Sequence, residues 1–148
     1  MKISLLVTFD FTQRGKSGTG LAAGSLIAAC EAHPDYNNKF VIEHLPINSD
    51  DNNIDVEEIA ELINNQIPID TLDSIGLGCY CWSSIAIEPL IAQCKKIGFT
   101  GKFILGGPEV HDKTCRKKYP NGDIYISGNA EISLPKAILM NDIPLMGV

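Results

Sequence analysis

Five short apolar runs, separated by longer amphipathic stretches, constrain the fold of this chain more than any other feature. The runs hold mostly Ile, Leu, Val and Phe with little polar alternation, as at 3–7 and 102–105. Such runs are typical of strands covered on both faces of a sheet. We predict strands at 3–9, 39–45, 73–79, 102–106 and 123–127. We predict helices at 17–32, 55–66, 83–97, 111–118 and 130–140. This regular alternation implies parallel β-α-β crossovers.

The alternation predicts an α/β fold, a doubly wound five-stranded parallel sheet of the flavodoxin-like type with strand order 2-1-3-4-5. A length of 148 residues suits a single domain over 1–148. Sheets with this order bind ligands at the carboxyl ends of their strands, near the switch between strands 1 and 3. The residues that follow strands 1, 3, 4 and 5 are therefore the candidates for function.

Composition argues against several classes of partner. The chain has a net charge of −6 with twelve Lys and Arg residues scattered along it, whereas nucleic-acid binding needs a clustered positive surface. No apolar run reaches the roughly 20 residues of a membrane helix, and the first run is too short for a signal peptide. We therefore expect a cytoplasmic protein with no nucleic-acid or membrane partner. Its five cysteines lack a framework spacing and should be free thiols.

The loop after strand 1 only partly matches known phosphate-binding loops. Gly15-Lys16-Ser17 resembles the end of a P-loop, but Asp10 stands where that motif needs its first glycine, and a carboxylate there would repel phosphate. The dinucleotide-binding fingerprint also fails, because the loop's glycines are spaced G-x-x-G-x-G. The helix that follows has a face of small residues, Gly20, Ala23, Gly24 and Ala28. That face either packs closely on the sheet or leaves a slot for a ligand tail beside strand 1.

The turn after strand 3 places two aromatic residues, Tyr80 and Trp82, at the crevice, next to Ser83. Aromatic rings here can lie against a large flat ligand, or the Trp can cap the core. The pair Cys79-x-Cys81 is a weak zinc signal, because no second pair at a standard spacing completes the site. We expect no metal ligand among the protein side chains. Ser83 or Ser84 can cap the third helix, which Gly98 ends.

The turns after strands 4 and 5 are rich in glycine. Gly106-Gly107-Pro108-Glu109 makes a tight turn that exposes bare backbone. After strand 5, residues 127–131 lead into a helix that Asn129 can cap. Free N–H groups at such a helix start can hold a polar ligand group.

These strand ends resemble the cobalamin-binding domain family. Its D-x-H-x-x-G pattern matches 10–15, except that Thr12 replaces the histidine, and its G-G pair matches Gly106-Gly107. The stretches 79–83, 106–110 and 123–131 are similar to the C-Y-x-W-N, L-G-G-P-E and D-Y-x-x-x-G-E-G-E segments found in the N-terminal domain of cobalamin-dependent radical-SAM enzymes. The resemblance covers nearly the whole chain.

The resemblance implies that the chain holds a corrinoid, cobalamin, with no histidine on the cobalt, because Thr12 offers only a hydroxyl. Ser83 replaces the family's Asn, and Asn129-Ala130 replaces its Glu-Gly. The implied cofactor-binding residues are Asp10, Thr12, Gly15, Ser17, Tyr80, Trp82, Ser83, Gly106, Gly107, Pro108, Glu109, Gly128, Asn129 and Glu131. We expect a bulky side chain at Gly107 to weaken cofactor binding without unfolding the sheet.

The resemblance also implies that catalysis lies elsewhere. The C-x-x-x-C-x-x-C motif of a radical-SAM cluster is not found in the sequence, so we expect no iron–sulfur cluster and no catalytic residue in this chain. A radical-SAM domain of the methyltransferase type would act in cis or in trans, and 141–148 resembles the start of a linker to it.

Three other functions stay open at this point. A cofactor-free relative could act as a docking or structural module. A signalling receiver domain has the same fold, but it needs an acidic pair after strand 1 and a phospho-acceptor Asp after strand 3, where this chain has Cys79-Tyr80. A flavin carrier would need a Ser/Thr-rich first loop to hold its phosphate. A cobalamin absorption spectrum after reconstitution separates the first hypothesis from all of these.

Overall fold

The computed structural model describes residues 1–10, 21–48, 54–111 and 113–140, and it confirms the predicted fold. One parallel sheet has the strand order β2-β1-β3-β4-β5. The strands are β1 (Lys2–Asp10), β2 (Phe40–Asn48), β3 (Ser74–Gly78), β4 (Lys102–Gly106) and β5 (Ile124–Tyr125). The helices are α1 (Leu21–Glu31), α2 (Val56–Gln66), α3 (Ser84–Lys96), α4 (Cys115–Lys118) and α5 (Ala130–Leu139).

Two elements are shorter than the sequence predicts. The fourth helix was predicted from residue 111, but α4 begins at Cys115, because the chain first completes the turn that starts at Gly107. The fifth strand pairs with β4 only at Ile124 and Tyr125. β4 ends at Gly106, and the positive φ of Gly107 turns its backbone away from the sheet. The predicted start of the first helix lies outside the described residues.

Alternation along the strands divides the core into two layers. On β1, Leu5, Val7 and Phe9 point toward α2 and α3, whereas Leu6 points toward α1 and α5. The α2/α3 layer is the larger one and includes fully buried Phe103. Each such buried side chain stabilises the fold by about 1.5–3 kcal/mol relative to its exposed state.

Helix boundaries follow local chemistry in part. The Asp55 side chain caps α2 by accepting the Glu57 and Glu58 amides at 3.0 and 3.2 Å. Ser83 precedes α3 but makes no side-chain cap bond, contrary to its predicted role. Gly98 follows the end of α3 with a φ of 116°, which suits a glycine.

Two lysines fix the direction of α5. The Lys2 ammonium donates to the carbonyl of Leu139 at 3.1 Å, and Lys102 donates to the carbonyls of Ile138 and Met140. Both lysines lie at the amino ends of their strands, so the carboxyl end of α5 is tied to that edge of the sheet. The first turn of α5 consequently lies at the opposite edge, where the strands end. Among the helices of the described ranges, none combines the length and apolar character needed to cross a bilayer.

Candidate functional site

A cleft of about 530 Å³ opens at the carboxyl ends of the strands, between the sheet, α1 and α5. Its inner walls are apolar and include Leu6, Leu26, Ile104, Ile126 and Leu134. Polar side chains lie nearer the strand ends and include Thr8, Tyr80, His111, Asn129 and Glu131. The volume falls within the range of about 300–1,000 Å³ typical of ligand pockets. The cleft is therefore at the location that the strand order predicts.

The cleft exists because β3 carries almost no side chains on this face. Strand alternation directs Ser74, Gly76 and Gly78 toward α1 and α5, while Ile75 and Leu77 fill the opposite layer. A Cβ at Gly76 would lie 3.2 Å from Leu6 Cδ1. We call Gly76 and Gly78, together with Gly106 at the end of β4, the glycine strip. It leaves a slot along the centre of the sheet.

Tyr80 covers the end of this slot. A Cβ at Gly78 would come within 2.9 Å of Tyr80 Cε2, so this ring position requires a glycine at 78. The hydroxyl of Ser83 donates to the Gly78 carbonyl at 2.9 Å and accepts the Tyr80 amide at 2.9 Å. Burial and the nearby Asp10 carboxylate raise the pKa of Tyr80, so its hydroxyl remains protonated at neutral pH. Ser83 thus shapes the turn and is itself buried beneath it.

Trp82 supports Tyr80 from outside the cleft. The two rings stack with centroids 4.7 Å apart and planes 4° from parallel. The indole N–H donates to the Phe9 carbonyl at 2.7 Å. Trp82 is 40% exposed and is not among the residues that line the cleft. Trp82 therefore lies at the strand ends, as predicted, but Tyr80 is the aromatic residue of this turn that lines the cleft.

The turn after β4 is locked to the turn after β3. The Cys79 amide donates to the Gly106 carbonyl at 2.6 Å, and the Glu109 amide donates to the Cys79 carbonyl at 3.1 Å. Gly107 has a φ of 110°, and a Cβ there would lie 2.7 Å from the Cys79 carbonyl oxygen. The expectation that a bulky residue at Gly107 spares the sheet is therefore wrong. The turn needs a glycine at this position, because a side chain would strain the positive φ and collide with the Cys79 carbonyl.

The charged residue of the β4 turn points away from the site. Glu109 binds the Lys118 ammonium at 2.7 Å and does not line the cleft, although Gly106, Gly107 and Pro108 do. This hydrogen bond raises the pKa of Lys118. The Glu109–Lys118 pair joins the turn to α4 at the surface.

The first turn of α5 forms one side of the cleft mouth. Gly128, with a φ of 80°, leads into Asn129 and Glu131, and all three line the cleft. Asn129 stands at the cap position of α5 without a side-chain cap bond, which differs from the predicted cap. The hydroxyl of Ser25 on α1 donates to Glu131 Oε1 at 3.0 Å. This bond joins α1 to α5 across the mouth.

A polar corner lies where β1 and β2 end. Thr8 Oγ1, in the cleft wall, shares a 2.7 Å hydrogen bond with Nε2 of half-buried His44. Burial lowers the pKa of His44, although the Asp10 carboxylate acts in the opposite direction. Asp10 Oδ2 is buried and has no hydrogen-bond partner among the described residues. Asp10 ends β1 beside the cleft without lining it.

The structure brings seven of the fourteen predicted site residues into the cleft wall. They are Tyr80, Gly106, Gly107, Pro108, Gly128, Asn129 and Glu131. Thr12, Gly15 and Ser17 lie outside the described residues. Of the predicted small face of α1, Ala23 lines the cleft, whereas Gly24 is exposed, and apart from its own helix no described residue comes within 4 Å of its Cβ position.

Sequence reasoning missed Thr8 and His111 as lining residues. Gly76 and Gly78 do line the cleft, which agrees with the expectation that glycines at the end of the third strand let a ligand approach the backbone. Within the described part of the chain, no three His, Cys, Asp or Glu side chains converge as a metal cluster would require.

No protein-family profile matches the chain, and no curated protein matches its sequence.

Proposed function

We propose that the chain binds cobalamin, with the corrin ring over the carboxyl ends of the strands and the nucleotide tail in the cleft. The glycine strip is the observation that carries this proposal. It provides a slot that an extended group ending in an aromatic base can enter, and the slot opens where a flat ring could lie across Gly106, Gly128 and Tyr80.

The residues present fit such a group. A Cβ at Gly106 would find its nearest neighbours at 3.8 Å, so this glycine is not required by packing and leaves space for a ligand. The apolar walls suit the aromatic base of the tail. Tyr80, held by Ser83 and Trp82, offers a fixed ring face and a protonated hydroxyl beside the strand ends. Thr8, held by His44, offers a polar contact inside the slot.

When bound, cobalamin supplies cobalt-centred methyl-group chemistry. This chain's own residues bind and orient the cofactor, and a radical-SAM domain in cis or in trans provides the catalytic centre. Exposed apolar side chains support such a partner, because Ile85 and Ile132 lie 86% and 72% exposed in the first turns of α3 and α5. Both helices begin at the same edge of the sheet as the cleft.

The same two isoleucines favour a second candidate function, a docking module that has kept the fold without the cofactor. A flavin mononucleotide carrier has less support. Its phosphate monoester would bring about two negative charges, more than the single charge of the phosphodiester in the cobalamin tail, to a cleft whose described lining includes Glu131 and contains neither Lys nor Arg.

Titration with hydroxocobalamin, followed by visible absorption and equilibrium dialysis, tests the proposal. We expect the wild type to bind and Gly106→Leu to bind at least about tenfold more weakly, a difference of about 1.4 kcal/mol. Gly24→Leu is the matched control, because Gly24 is exposed on α1 and outside the cleft. Thermal unfolding establishes that both variants are folded.

Each outcome has a definite meaning. Equal affinity of wild type and a folded Gly106→Leu variant would place the cofactor elsewhere. The absence of binding by the wild type would reject the cobalamin proposal and leave the docking module.

A further inference from the structure

Among the described residues at the cleft mouth, the charge is negative. Glu131 is the only carboxylate among the described residues that line the cleft, and none of those residues is Lys or Arg. Asp10 lies close enough to raise the pKa of Tyr80, which adds a second negative charge beside the mouth. The described residues around Glu131 therefore favour neutral hydrogen-bond donors beside this side chain and oppose carboxylates there.

Glu131 is held in a defined position. Its Oε1 accepts the Ser25 hydroxyl at 3.0 Å, and its place in the first turn of α5 brings it close to the positive end of a helix of ten residues. The side chain is partly buried, which strengthens its interactions relative to a fully hydrated carboxylate. The other carboxylate oxygen, Oε2, does not bond to Ser25 and can accept a hydrogen bond from a ligand. Asn129, beside it, lines the cleft with an amide that does not cap the helix.

On the basis of the proposed corrinoid function, we infer that Glu131, positioned by Ser25 and assisted by Asn129, selects amidated corrinoids over corrinoids whose side chains are carboxylates. The rim of a complete corrin ring carries amide groups, whose N–H donors the Glu131 carboxylate accepts. A corrin with carboxylates at the same places brings negative charge against Glu131 and has no N–H to donate. Glu131 is thus a specificity-determining residue.

The test compares two probes that both lack the nucleotide tail, cobinamide with amide side chains and cobyrinic acid with carboxylates. Each is titrated into the wild-type chain at about 0.15 M ionic strength, which screens distant charges beyond about 8 Å. We expect cobinamide to bind at least about tenfold more tightly than cobyrinic acid. Glu131→Gln should reduce this ratio to about threefold or less, because Gln removes the charge and keeps an acceptor oxygen.

Two further variants separate local recognition from overall charge. Glu61→Gln makes the same change in net charge on α2, on the other side of the sheet, and should leave the ratio unchanged. Ser25→Ala leaves the carboxylate but removes its hydrogen bond, and should lower the ratio partway. A shift of the ratio in Glu61→Gln equal to that in Glu131→Gln would overturn the inference.

Failure of the inference and failure of the proposed function look different. If cobinamide and cobyrinic acid bind the wild type equally, the chain is a corrinoid protein and Glu131 does not select. If neither probe nor hydroxocobalamin binds, the corrinoid function itself is rejected, and the selectivity inference with it.

Discussion

The ring of Tyr80 lies flat against the indole of Trp82, with the ring centroids 4.7 Å apart. Because the indole N–H also donates to the Phe9 carbonyl, this pair ties the turn after β3 to the end of β1. Trp82→Phe should keep the stack and lose the hydrogen bond, at a cost of about 1 kcal/mol in the free energy of unfolding. Trp82→Ala should lose both, at about 2 kcal/mol. Urea unfolding followed by circular dichroism measures the difference, and equal stability of Phe and Ala variants would show that the stack contributes nothing.

The adjacent glycines at the end of β4 should differ in how much stability the same substitution costs. Gly107→Ala is expected to destabilise the fold by about 1–3 kcal/mol, because of its φ of 110° and its approach to Cys79. Gly106→Ala should change stability by less than about 1 kcal/mol, because its Cβ meets only ordinary contacts. Thermal unfolding of both variants tests this. Similar losses at the two positions would show that the positive φ of Gly107 and its approach to Cys79 have no special cost.

All five cysteines are free, as the sequence predicts, but they should differ in reactivity. Burial raises the pKa of Cys30, Cys79 and Cys94 to about 12, whereas Cys81 is exposed. Because the thiolate is the reacting species, native protein at about pH 8 should show a single fast thiol toward a disulfide reagent. Denatured protein should show five. Cys81→Ser should abolish the fast phase, and its persistence would mean that another thiol is accessible.

His44 should make the fold less stable in mild acid. Burial lowers its pKa below the ordinary 6.5, so the unfolded chain takes up a proton before the folded one does. The stability that neutral His44 contributes is therefore complete above about pH 6.5 and declines as the pH falls through the lowered pKa. We expect His44→Gln to flatten this part of the profile in urea unfolding between about pH 7.5 and about pH 5. An unchanged slope would assign the pH dependence to other groups.

Under the proposed function, no protein imidazole should bind the cobalt, since Thr12 stands where the cobalamin-binding pattern that the sequence resembles has a histidine. Electron paramagnetic resonance of the cobalt(II) form in ¹⁵N-labelled protein tests this, because only a protein nitrogen ligand would change its splitting on labelling. His111, which lines the cleft, is the residue to replace by Ala if the splitting does change.

Strand order and the location of the cleft could be predicted from the alternation of apolar runs with helical stretches. This alternation indicates β-α-β crossovers and hence a parallel sheet with a cleft at the carboxyl ends of its strands. The lengths of α4 and β5 could not be predicted, because both depend on where Gly107 turns the chain, and its positive φ is set by contact with Cys79. Local sequence carries no record of a contact between residues 28 positions apart.

Site residues divide in the same way. Gly106, Gly128 and Glu131 follow from their position at or just after the carboxyl end of a strand, since all these ends meet the same edge of a parallel sheet. Glu109 and Ser83 do not line the cleft, because Glu109 pairs with Lys118 and Ser83 bonds to the Gly78 carbonyl. The sequence does not reveal these partners. Thr8 was missed because its side chain looks like ordinary strand interior until His44 is placed beside it.

The glycine strip also lowers the stability of the fold while it keeps the slot open for a ligand. A central strand with glycines at 76 and 78 lacks the branched side chains that favour a sheet, and each glycine costs about 0.5–1 kcal/mol relative to Ala. At Gly76 the nearest obstacle to a methyl group is the flexible tip of Leu6, so a larger residue can be accommodated there. Laboratory selection for heat resistance alone should therefore find substitutions along this strand early, and each one that succeeds should narrow the slot.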